Sequence, residues 1–241
     1  MQDGWRERLG ERIGATWAPW IQKIARARHA RMFHPDGQLF RGSLSAAADG
    51  PFADLADSLG SHVLARFSGA LRRAPHESLD VLGIALRFSH TPIASVEPAA
   101  DDQDLLFATI LSPFTMGLSP LTTRSHDFFA NRYHTVSPFA LGDGRRVKFK
   151  LSPVTRSSHE GSRAADLAAA VNTGAARFDL AVRETLTRRW HPLARIALDA
   201  EAKLDQAALR FDPFQAGADI VPVGVIQAIR RRAYPASQAA R

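Results

Sequence analysis

Tyr133-His-Thr-Val-Ser-Pro-Phe139-Ala-Leu-Gly142-Asp-Gly144-Arg-Arg-Val147-Lys-Phe149 holds two short runs of strand-forming residues on either side of a Gly-Asp-Gly turn. Such a turn between alternating segments is the strongest short-range signal for a β-hairpin. The same period of two recurs outward along the chain. Leu82 to Ser89 alternates Leu82, Ile84, Leu86 and Phe88, and His62 to Ser68 places Val63, Ala65 and Phe67 on one face. Leu39 to Ser45, Leu105 to Leu111, Leu193 to Leu198 and Ala207 to Phe211 read as further strands.

Helical patterns are fewer. Trp5, Leu9, Ile13, Trp17, Trp20 and Ile24 recur three or four residues apart, which predicts an amphipathic helix over residues 5–30. Because Glu7 and Glu11 accompany its basic residues, this stripe suits a packing face better than a membrane surface. Phe52 to Leu59 reads as a short helical connection. Asp166 to Ala176 is Ala-rich and helical in propensity, with a continuation through Arg177 to Arg188, and Val223 to Ala233 forms a last helix. Pro and Gly punctuate a loop at 114–120, residues 125–131 read as helix or loop, residues 155–163 are polar and exposed, and 212–217 turns. No internal repeat or boundary divides the 241 residues, so one domain is expected.

Composition narrows the classes. The chain is 45% hydrophobic and 23% charged, ordinary for a globular domain. It has no cysteine, which excludes disulfides and thiolate ligation. No run of eighteen apolar residues exists, so no helical membrane span is expected. The first residues lack an apolar signal core, and the expected location is the cytoplasm. The net charge of +7 comes mostly from arginines scattered along the chain, without a nucleic-acid-binding module.

Two motifs at opposite ends carry candidate chemistry. Near the C-terminus, Arg230 lies four residues before Tyr234, which Pro235 follows. On a helix those two side chains share a face, and a guanidinium beside a phenol favours the phenolate. A phenolate is one of the protein ligands of haem iron. Near the N-terminus stands Arg31-Met-Phe33-His34-Pro-Asp-Gly37.

Arg31-x-x-His34-x-x-Gly37 resembles the distal haem signature of the haem catalase family, and Arg230-x-x-x-Tyr234-Pro with Arg241 resembles its proximal signature. Val63-Leu-Ala-Arg66-Phe-Ser68, followed by Asp80-Val-Leu-Gly83-Ile-Ala85, is similar to that family's strand pair between them. The hairpin quoted first resembles its later barrel segment, in the manner of the small catalase-like proteins. The resemblance spans residues 28–241 and is poorest over 155–190.

It implies an α+β, catalase-like fold: a closed antiparallel β-barrel of about eight strands with surrounding helices. It also implies haem b as cofactor, held through iron by Tyr234, with residues 223–241 as the ligand-bearing helix. Arg31, Arg66 and Arg241 would meet the haem carboxylates, since a guanidinium fork matches a carboxylate. His34 would be the distal base and Ser68 its orienting partner.

This sequence departs from the family at two places. Ala108 stands where the distal asparagine is expected, and Phe33 stands where a small valine is typical. Both changes make the implied cavity apolar. The implied activity is therefore peroxidase-like and directed to organic or lipid hydroperoxides, in place of fast hydrogen peroxide dismutation. A small-molecule peroxide and an organic reductant would be the partners, and a homo-oligomer stays open without the large enzymes' tight tetramer. Two other classes compete. One is a haem-binding relative without turnover. The other is a basic scaffold for anionic partners, which would stay colourless with haemin.

Overall fold

The computed structural model describes residues 37–47, 49–70, 77–93, 95–112, 117–154, 161–206 and 208–224. These lie, but for Val223 and Gly224, within one unit spanning residues 34–222. The predicted helices over 5–30 and 223–233 lie outside the described residues.

A four-strand antiparallel meander comes first. It runs through β1 (Gln38–Ala46), β2 (His62–Gly69), β3 (Leu82–Ser89) and β4 (Gln103–Ala108). A short strand β5 (Tyr133–His134) joins β4 to β7 (Arg146–Pro153), and β7 pairs with β8 (Arg177–Glu184). Finally β8 pairs with β9 (His191–Glu201), which returns to β1 and closes the circuit. The result is a closed eight-stranded antiparallel barrel, as expected, with no free edge around the ring. β6 (Phe139–Ala140) pairs beside β5 on the same edge of β7, and β10 (Val221–Pro222) extends β6 outward. The predicted hairpin is this β6–β7 pair, with its turn bonded from the Gly144 amide to the Leu141 carbonyl at 2.9 Å.

Period-two sequence decides which side chains fill the barrel. Inward positions carry Phe40, Val63, Ala65, Phe67, Ile84 and Leu86, all buried. Opposite them stand Phe149, Phe178 and Leu180. The rings pack edge to face or stacked: Phe67 meets Phe128 at 5.2 Å and Phe178 at 5.6 Å, and Phe129 stacks on Phe178 at 22°. Each such pair adds about 0.5–1.5 kcal/mol beyond area burial. Tyr133 lies wholly inside and donates its hydroxyl to the Phe128 carbonyl at 2.8 Å. The interior is therefore a packed core. Where β1 crosses β9 the register shifts beside Gly42, and a Cβ there would strike the Ala197 carbonyl.

Helices are short and lie outside the ring. α1 (Ala53–Ser58) sits in the predicted connection, and α2 (Ser119–Thr122) begins within the predicted loop 114–120, of which residues 114–116 lie outside the described set. A 3-10 turn forms at Phe128–Ala130 within the stretch read as helix or loop. α3 (Arg163–Asn172) begins earlier than expected because the Ser162 hydroxyl accepts the Ala165 amide at 3.2 Å and Asp166 occupies the first turn. It ends at Gly174, whose φ of 70° few other residues adopt.

Three readings need correction. Arg177 to Glu184 does not continue the helix but forms β8, since Phe178, Leu180 and Val182 alternate inward every second residue. Residues 208–211 form no strand; they lie as cover over the outer wall, fixed by Arg87. The strand read at Leu105 to Leu111 runs Gln103–Ala108. No helix among the described residues is long and apolar enough to cross a membrane.

Two buried ion pairs fix the outer layer. Arg87 on β3 and Asp104 on β4 are fully buried and bond in two places, Nε to Oδ1 at 2.8 Å and Nη2 to Oδ2 at 2.9 Å. Arg87 also donates to the Val96 and Arg210 carbonyls, and Asp104 accepts the Asp212 amide at 2.8 Å. Burial nonetheless pushes the Asp104 carboxyl above its ordinary range. The second network joins Arg163 of α3 to Asp80 at 3.2 Å, to Glu77 and to the Ser125 carbonyl. Gly69 lies against it, and a Cβ there would collide with both the Asp80 carboxylate and the Arg163 guanidinium.

Removing one partner of a buried pair strands the other's charge, which costs about 3–5 kcal/mol. Asp104→Ala is expected to lower stability by that much in urea denaturation. The double change Arg87→Met with Asp104→Leu is expected to lose clearly less than Asp104→Ala does alone.

Candidate functional site

With the interior filled by aromatic and aliphatic side chains, polar chemistry is left to the outer wall and the barrel ends. Of the residues singled out from sequence, Arg66, Ser68 and Ala108 are described. Arg31, Phe33, His34, Arg230, Tyr234 and Arg241 lie outside the described residues.

Alternation on β2 turns Val63, Ala65 and Phe67 inward, so Arg66 and Ser68 face outward. On β4, Leu105 and Phe107 are core, so Leu106 and Ala108 face outward. β3 lies between them and offers Gly83 and Ala85 on that side. The register aligns Ser68 with Gly83 and Gly83 with Ala108, while Arg66 aligns with Ala85 and Ala85 with Leu106. The three described candidates thus share one half-buried stretch of outer wall. A Cβ on Gly83 would meet nothing nearer than the Phe107 carbonyl and Ser68 Oγ, both at 3.6 Å, so the wall is low there for want of a side chain. The Arg66 guanidinium lies against Gly37, where a Cβ would come within 2.6 Å of it. Burial pulls the Arg66 pKa down from its ordinary value.

The same row continues past Ala108 to His134 on β5 and Lys150 on β7. Sequence reading missed what gathers there. The His134 and Trp190 rings stand 6.1 Å apart, Lys150 Nζ sits 4.7 Å above the Trp190 ring and the Arg183 guanidinium 5.1 Å above it. Lys148 faces Arg183 across the β7–β8 pair. The signal was available: Lys148 and Lys150 alternate with Val147, Phe149 and Leu151, which sends both lysines outward. Burial, and then Lys150, Lys148, Arg183 and Arg132 in turn, pull His134 down to about 4. It is therefore neutral near pH 7 and able to accept or donate one hydrogen bond.

At one end of the barrel a hollow of about 270 Å³ lies between Pro51, Phe52, Glu184, Thr187, Arg189 and His191. It shares no residue with the wall row. Among the described residues, no three His, Asp or Glu side chains gather as a metal site.

No protein-family model matches this chain, and no curated protein matches it either.

His134 yields a pH effect whose sign follows from linkage. Its unfolded pKa lies near 6.5 and its folded pKa near 4, so between those values the unfolded chain holds the extra proton. The contribution of neutral His134 is fully present above pH 6.5 and is lost as pH falls through 4. Thermal midpoints of the parent are expected to fall more steeply over that window than those of His134→Gln. Parallel curves would remove His134 from the account.

Proposed function

We propose that this is a Tyr-ligated haem protein of catalase-like kind that reacts with peroxides, with its haem lying against the outer wall at Arg66, Ser68 and Ala108. The observation that supports the reading is the convergence of those three residues, from strands separated in sequence, on one shallow wall. They were chosen from motif resemblance; period two already puts Arg66 and Ser68 on one face of β2, and the strand register brings Ala108 of β4 to that same face. The residues present fit the group. A flat macrocycle needs low relief, which Gly83, Ala85 and Ala108 supply, and a guanidinium at the margin for its carboxylates, which Arg66 supplies.

Haem, when bound, supplies a ferric iron at which a peroxide oxygen–oxygen bond is cleaved. Tyr234 would hold that iron as phenolate, kept ionised by Arg230. His34 would take the proton from the peroxide oxygen nearest the iron and return it to the departing oxygen, a transfer that neutral imidazole performs near pH 7. Ser68 would hold one ring nitrogen of His34 and so set its tautomer. Arg31 and Arg241 would join Arg66 at the carboxylates. Phe33 and Ala108 would line an apolar approach, which favours the alkyl part of an organic hydroperoxide at roughly 25 cal/mol per Å² buried.

Tyr234→Phe is expected to abolish the phenolate-to-iron charge-transfer band and sharply reduce haem retention. An unaltered spectrum would overturn the ligand assignment, and a protein that stays colourless with haemin would overturn the whole reading.

His34→Ala is expected to keep its haem while reacting with peroxide about 10²–10⁴-fold more slowly, the usual worth of a positioned proton carrier. In stopped flow, cumyl hydroperoxide is expected to react faster than hydrogen peroxide with the parent, with little oxygen released. Vigorous oxygen release would mark a true catalase. Haem without any peroxide reaction would leave a binding protein.

A further inference from the structure

The cationic group around Trp190 has no part in the haem reading, and its composition is unusual for a protein surface. Lys148 and Lys150 stand two apart on the outward face of β7, and Arg183 faces Lys148 from β8. His134 faces Lys150 from β5, and exposed Arg132 precedes Tyr133 beside it. Ordinary protein surfaces intersperse signs, because like charges brought together repel. Among the described residues, the acids of the neighbouring strands are engaged elsewhere. Glu184 has the parity of the inward residues of β8 and lines the end hollow with His191. Asp179, the outward acid on the same strand, is engaged by Arg195 at 2.8 Å. The charges shifting His134, Lys148 and Lys150 are all positive, which agrees with the lack of a counter-charge beside them among the described residues.

The group is also held in place. Lys150 and Arg183 lie on the Trp190 ring, which fixes two cations against an apolar floor. Arg183 donates through Nη1 to the Thr187 carbonyl, while its Nε is buried without a hydrogen-bond partner. Neutral His134 at the margin can donate to an oxygen without adding charge.

We propose that Lys148, Lys150 and Arg183, floored by Trp190 and bordered by His134 and Arg132, form a binding site for a multiply charged oxyanion, of the phosphoryl or pyrophosphoryl class. Fixed cations on two adjacent strands suit several anionic oxygens on one small group better than the single charge of a carboxylate. The Lys148 and Lys150 ammonium groups, with the Arg183 guanidinium beside them, are the donors such oxygens would meet.

The test is calorimetric titration of the whole chain with sodium pyrophosphate at constant ionic strength set by chloride. One saturable site per chain is expected, with inorganic phosphate binding more weakly. Lys150→Gln and Arg183→Gln are each expected to weaken pyrophosphate at least tenfold, while Arg195→Gln, outside the group, leaves it unchanged. Circular dichroism checks that each variant is folded. Lys148→Gln, which only relieves repulsion in the free protein, is expected to leave the thermal midpoint unchanged or raised without anion and to lower the shift pyrophosphate gives. Absence of saturable heat, or equal affinity in parent and variants, would overturn the site. Decanoate binding more tightly than pyrophosphate would assign the group to a carboxylate instead. An oligonucleotide that binds in the absence of any pyrophosphate site would assign it to extended polyanions, and would equally overturn the proposal.

Discussion

The Arg87–Asp104 pair is the constraint on which the outer layer depends. Both side chains point away from the barrel core, where water would ordinarily solvate them, yet both are completely buried. They are buried beneath the segments that carry Val96 and Arg210 to Asp212, and those segments are held in turn by the pair's remaining hydrogen bonds. Val96 and Arg210 present carbonyls to the guanidinium, and Asp212 presents its amide to the carboxylate. Gln103 adds a second tie from β4 to the same cover, through the Gln215 and Ile220 carbonyls. Irregular chain is thereby fixed by ionic geometry, with a small apolar cluster of Leu39, Leu64, Ala202 and Leu209 beneath it. Such a pair contributes specificity of arrangement more than net stability.

The cover occupies only one end of that wall. At the other end β2, β3 and β4 turn small residues outward, and further round the ring β5, β7 and β8 turn cations outward. One strand register therefore runs from an apolar shallow surface into a basic one, through Ser68, Gly83, Ala108, His134 and Lys150. Neighbouring strands stand about 4.8 Å apart, so Ala108 and Lys150 are separated by about 10 Å. Both surfaces lie on the outer face of the barrel, opposite the aromatic and aliphatic side chains of the core.

Much of the barrel was legible because period-two alternation is strong in β2, β3 and β7, and because a Gly-Asp-Gly turn has few other uses. The strand β8 was obscured by an Ala-rich segment just before it, whose helical propensity was carried too far. Residues 207–211 resemble a strand in composition, but Arg210 and Phe211 are engaged by Arg87, a tertiary contact that no local pattern encodes. The partnership of Arg87 with Asp104, and of Arg163 with Asp80, depends on strand register and chain return, so neither could be read before the topology was known. The cation group was hidden for a different reason. Its members come from three strands and the segments before β5 and β9, and only the β7–β8–β9 pairing brings Trp190 beside Lys150.

Ring closure also sets the order in which this chain can assemble. Within β1 through β4 each pairing joins sequence neighbours, so the meander can form from contacts of modest loop length. The β1–β9 ladder instead joins the two extremities of the barrel, Ala46 with Ala194, and its loop must close before any of those bonds form. Contacts of such separation slow folding, and until they are made β1 carries an unpaired edge. Where that ladder finally forms, Arg41 meets Ala200 and Gly42 meets Leu198, so Asp199 of β9 is left unmatched while β1 keeps its unbroken register with β2. The distortion therefore belongs to the last strand to arrive, and it fixes which residues of β9 may face β1 when the ring closes.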